Sequence, residues 1–66
     1  MRFLRTLREE AELTQRELGK RLKKPQSWVY NRETANWWVD LTEFIAWARR
    51  CGVTPQEAFS RFLAVV

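Results

Sequence analysis

The sequence predicts an all-α fold of five short helices, and three observations carry that prediction. Apolar residues recur at spacings of three and four nearly throughout the chain. Three stretches have the form of an N-terminal capping box: Thr14-Gln15-Arg16-Glu17, Asp40-Leu41-Thr42-Glu43 and Thr54-Pro55-Gln56-Glu57. Nothing in the remaining pattern calls for a strand. With 66 residues the chain makes a single domain, 1–66. A core of that size leaves roughly 3–5 kcal/mol of net stability.

Leu4, Leu7 and Ala11 share one face, so a first helix is expected from about Arg2 to Ala11. Leu13 leads into the Thr14 box, which opens a second helix ending near Leu22. Lys23 and Lys24 then form a short connection, and Pro25 is expected at the first position of a third helix, where its missing N–H is no loss. Along that helix Ser27, Tyr30, Asn31 and Thr34 fall on one polar side, with Val29 and Arg32 on another. The Asp40 box opens a fourth helix with an apolar stripe of Leu41, Phe44, Ile45 and Ala48. Gly52, after Cys51, supplies its left-handed end. The Thr54 box opens a fifth helix carrying Ala58, Phe59, Phe62 and Leu63.

So short a link between the second and third helices forces a sharp angle, with the third presented outward. The charge gathers there. From Arg16 to Arg32 the chain carries Arg16, Lys20, Arg21, Lys23, Lys24 and Arg32 against Glu17 alone, within a net charge of +4. A basic patch of this kind suits a polyanion. It is also how an ordinary solvated basic face reads. The chain has one cysteine and no histidine, which removes the usual zinc spacings and every His-based triad. No metal, cofactor or small-molecule ligand is therefore expected, and no membrane contact either, since no apolar run approaches the ~20 residues that span a bilayer; an enzyme is the poorest reading, and a reducing cytoplasmic setting fits the lone Cys51.

The segments LREEAELTQRELGKRLKKPQSWV and VDLTEFIAWARRCGVTPQE together resemble the Cro and lambda-repressor type helix-turn-helix domain, the xenobiotic-response-element family of bacterial and phage regulators. The resemblance runs from about Phe3 to Phe62, with the helix-turn-helix at about 14–33. It implies a compact five-helix lambda-repressor-like domain that binds double-stranded DNA as a small transcriptional regulator, usually as a homodimer on a palindromic site. Helix 25–33 corresponds to the recognition helix of the major groove. Gln26 stands at a base-reading position, and an amide can pair with adenine at N6 and N7. Ser27, Tyr30 and Asn31 share or border that face. Gln15 matches a phosphate-contacting position, and Arg16, Lys23 and Lys24 add attraction to the backbone.

The chain departs from the family pattern at several positions. Glu12 and Lys23 occupy sites where Gly is usual because φ is positive. Arg32 replaces an aliphatic residue and is expected to reach outward, toward Glu33, Glu43 or a phosphate. Trp28 and Trp47 read as partly buried wall residues. Trp37 and Trp38 stand in the loop after the third helix, where the family carries Gly and basic residues. They fit a dimer or partner interface, since tryptophan is enriched at binding hot spots. They equally allow one ring to pack as core. A second function class therefore stays open, a protein-interaction or engineered self-associating module on the same scaffold with weakened DNA binding.

Overall fold

The computed structural model describes residues 1–35 and 39–66. Trp37 and Trp38, the expected interface tryptophans, lie outside the described residues. Five helices follow in order: α1 (Arg2–Glu10), α2 (Gln15–Leu22), α3 (Gln26–Thr34), α4 (Leu41–Arg50) and α5 (Pro55–Val65). No strand occurs among the described residues.

The helix starts follow from local chemistry. Thr14 accepts from the Glu17 amide at 3.0 Å, and the Glu17 carboxylate accepts from the Thr14 amide at 2.9 Å, which completes a reciprocal box at α2. The bond from the Thr14 amide, and after it the Thr14 hydroxyl, holds the Glu17 carboxyl below its ordinary range. At α4 and α5 the cap side chain alone does the work: Asp40 accepts from the Glu43 amide and Thr54 from that of Glu57. The Glu43 carboxylate instead meets Arg32 at 3.2 Å. Pro25 differs from expectation by one position. Its ψ of 158° is extended, so it serves as N-cap of α3 and not as the first helical residue.

Leu4 and Leu7 of α1, Leu18 of α2, Val29 of α3, Phe44, Trp47 and Ala48 of α4 and Ala58 of α5 form one core. Trp47 is 1% exposed, more deeply set than a wall residue, and its indole N–H donates to the Leu4 carbonyl at 3.0 Å. Phe3, Phe44 and Phe62 join α1, α4 and α5, with ring centroids 5.6–6.2 Å apart. Leu41 departs from the predicted stripe and is 67% exposed, because the first turn of α4 projects past the edge of this core. Cys51 ends α4 and is buried, which pushes its thiol up to about 11.

Two turns carry conformations costly to a side chain. Glu12 has φ 60° and Lys23 φ 59°. The left-handed region costs a non-glycine residue about 1–2 kcal/mol, offset in part by the greater unfolded-state entropy of glycine. Lys23→Gly and Glu12→Gly should therefore each stabilise the domain by about 0.5–1 kcal/mol. Urea unfolding checks this, and an unchanged or lower midpoint would contradict it.

Candidate nucleic-acid interface

The geometry of α3 is set by what lies behind it. Lys23 turns the chain out of α2, and the Lys24 amide bonds back to the Gly19 carbonyl at 2.9 Å. This closeness needs glycine: a Cβ at Gly19 would lie 2.7 Å from the Lys24 carbonyl oxygen. Nothing in the local sequence announced that role except a glycine inside a helical pattern. The connection thus holds α3 against α2, and α3 also packs on α1.

Val29 turns inward and is fully buried, so the opposite side of α3 faces solvent. Ser27, Tyr30, Asn31 and Thr34 are all exposed there, the face that the spacing predicted, and Gln26 is exposed beside them in the first turn. Tyr30 is 54% exposed. The Thr34 hydroxyl donates back to the Tyr30 carbonyl at 2.9 Å. Pro25 offers no side-chain cap, so the first N–H groups of α3 point out of the helix unused by a cap. Arg16, Lys20, Lys23 and Lys24 are exposed along α2 and the turn.

Arg32 reaches outward as expected, and of its anticipated partners it takes Glu43. Its guanidinium also lies 4.8 Å from the centroid of the half-buried Trp28 ring, and the Lys24 ammonium 5.4 Å from the same ring. Trp28 in turn rests against Trp47 at 6.2 Å. Cation and ring therefore tie the basic turn to the core through one indole.

Gln15 and Gln26 are brought together: the Gln26 side-chain amide donates to Gln15 Oε1 at 3.4 Å. Gln15 Nε2 donates to Glu33 Oε1 at 3.0 Å. Glu33 forms a forked ion pair with Arg8, whose Nη1 also donates to the Leu13 carbonyl at 2.8 Å. Glu33 and Arg8 thus stand directly behind the Gln15 and Gln26 amides, a placement that the sequence pattern did not single out. The signal was present, since Arg8 stands four residues after Leu4 on the apolar side of α1 and Glu33 four after Val29. The hydrogen bond to Glu33 raises the Arg8 guanidinium above its ordinary range. At the other end of α3 the Met1 α-amino group donates to the carbonyls of Arg32, Glu33 and Ala35. It satisfies acceptors that a helix C-terminus leaves open, with charge of the favourable sign.

An outward polar helix on a short turn, flanked by bases and backed by a second helix, is the arrangement that the comparisons bear on. Residues 2–59 match the family described as "Helix-turn-helix domain". The chain belongs to that helix-turn-helix family. A solved structure described as an "XRE-family like protein from Pseudomonas syringae pv. tomato str. DC3000" is similar at 36% identity and a TM-score of 0.82, covering 96% of this chain and 77% of that one. No curated protein matches. The helix-turn-helix domain is thus of the XRE and Cro type, a fold of DNA-binding regulators. Among its described residues no group of three or more His, Cys, Asp or Glu side chains could hold a metal ion, and no helix is long and apolar enough to cross a membrane.

Proposed function

We propose that this helix-turn-helix domain binds double-stranded DNA in a sequence-dependent manner, with α3 in the major groove, and acts as a small cytoplasmic transcriptional regulator. The observation that carries the reading is the row Gln26, Ser27, Tyr30 and Asn31, exposed on the outer face of a helix whose inner face is anchored at Val29. Gln26 reads a base edge through its amide, with Ser27, Tyr30 and Asn31 beside it. Gln15, Arg16, Lys23 and Lys24 meet phosphates and set the register. Because phosphate contacts release counterions, affinity should fall steeply with salt. Lys24→Ala should weaken binding to every duplex alike and reduce the salt slope by about 1. A slope unchanged by Lys24→Ala, or affinity independent of salt, would contradict the phosphate role.

The same proposal includes a homodimer on a two-fold related, palindromic site. Leu41 and Phe59 are exposed at 67% and 48%, and with Met1, Val39, Phe44 and Phe62 they line an open apolar groove; Leu63, on α5, is 56% exposed. Trp37 and Trp38 precede Val39 in the chain, and we assign them to the same contact with a second copy. That apolar rim also favours a second reading, a protein-interaction module with weakened DNA binding. Sedimentation of the wild type and of Leu41→Ser/Phe59→Ser, with and without duplex DNA, separates the two. Self-association without DNA binding at low salt selects the second reading, and a monomer at every concentration removes the dimer.

A further inference from the structure

We infer that Glu33, which is shielded from any ligand, helps choose the base that Gln26 reads by fixing the polarity of two amides in series. The inference rests on the DNA-reading role of α3 proposed above. The Glu33 side chain is 2% exposed and the Arg8 side chain 11%. A carboxylate accepts hydrogen bonds and donates none. The end of the Gln15 amide that faces Glu33 Oε1, at 3.0 Å, must therefore be its NH2. Gln15 Oε1 is thereby turned toward Gln26, and an oxygen in that place admits only the NH2 end of Gln26, at 3.4 Å. The Gln26 oxygen and its second N–H then remain for the ligand.

That polarity matters because the amide is lopsided. Adenine offers an acceptor at N7 and a donor at N6 in the major groove, which an amide matches in one orientation only. Turned over, the same side chain sets donor against donor. Exposed glutamines flip freely in water; here the flip would break the bond to Gln15, or force Gln15 to aim its oxygen at a buried carboxylate. Arg8 completes the arrangement by holding Glu33 in place at both oxygens and by neutralising its charge. Glu33 is thus a positioning residue, acting through Gln15.

Selection from random duplexes by the wild type defines the site, and the base pair whose identity stops mattering in Gln26→Ala is the one Gln26 reads. There the wild type should prefer adenine roughly tenfold or more. Arg8→Met/Glu33→Leu removes both buried charges at similar volume, a change that buried ion pairs commonly tolerate. It should keep the far-ultraviolet circular dichroism spectrum, the affinity for random duplex and the salt slope, while discrimination at that base pair falls to about twofold or less. Gln15→Met cuts the relay one step later and leaves the ion pair intact, so it answers the question should the double variant not fold. The same fall is expected. In Gln15→Met a loss shared by all duplexes accompanies that fall, because Gln15 also meets a phosphate. Undiminished discrimination in either folded variant, or in Arg8→Met/Glu33→Leu a loss of affinity shared equally by all duplexes, overturns the relay and leaves Glu33 a structural partner of Arg8. A wild type that selects no sequence, or a Gln26→Ala variant that alters no position, overturns the reading of α3 and the relay with it.

Discussion

Glu33→Ala should leave the domain largely unfolded at room temperature. The substitution strands the Arg8 guanidinium beneath α3, with a side chain 11% exposed and the Leu13 carbonyl as its remaining partner. Breaking a buried pair from one side costs about 3–5 kcal/mol, because the orphaned charge stays desolvated. A domain of this size has roughly that much to lose. Arg8→Met/Glu33→Leu should behave differently. It removes both charges, and its expected cost is about 1 kcal/mol for the hydrogen bond lost at Leu13. Urea unfolding followed by circular dichroism compares the two. Equal midpoints for Glu33→Ala and the wild type would mean that the pair is not a keystone of the fold.

Trp47→Ala should be as damaging, for a reason that involves no charge. Among the described residues Trp47 is the largest fully buried side chain. It touches Trp28 from α3 and hydrogen-bonds the α1 backbone at Leu4, so one ring spans the helices that present and support the proposed interface. Truncating a buried tryptophan costs about 3–5 kcal/mol in lost transfer energy and residual cavity. Trp47→Phe keeps most of the apolar volume and should retain a folded, weaker domain. If Trp47→Ala unfolds at the wild-type urea concentration, the core is not organised around this residue.

The contrast between these two residues shows what the sequence could convey. Trp47 lies on α4 at a spacing that marks it as inward, yet helical spacing alone sets no depth, and the ring proves more buried than a wall residue. The N-caps at Thr14, Asp40 and Thr54 were legible because capping is local, complete within four residues. The Arg8–Glu33 pair joins positions 25 residues apart, and no local rule connects them. Arg32 could be given a direction, outward, but its partner among three candidates was decided by how α4 packs. Leu41 shows the reverse limit: its spacing matches Phe44 and Ala48, but it lies one turn beyond where the core ends. The exposed row on α3 was readable, since spacing separates Ser27, Tyr30 and Asn31 from Val29. The amide chain behind Gln26 was not, because it crosses from α3 to α2 and back.

On the proposed reading, the outer face of α3 is the surface that meets DNA. Titration of the isotope-labelled domain with duplex DNA, with each backbone and side-chain amide followed by NMR, locates the contact residue by residue. The predicted result is perturbation concentrated at Gln15, Arg16, Lys23, Lys24, Gln26, Ser27, Tyr30 and Asn31, weakening as salt is raised. Perturbations confined to Leu41, Phe59 and Leu63, or none at low salt, would contradict it.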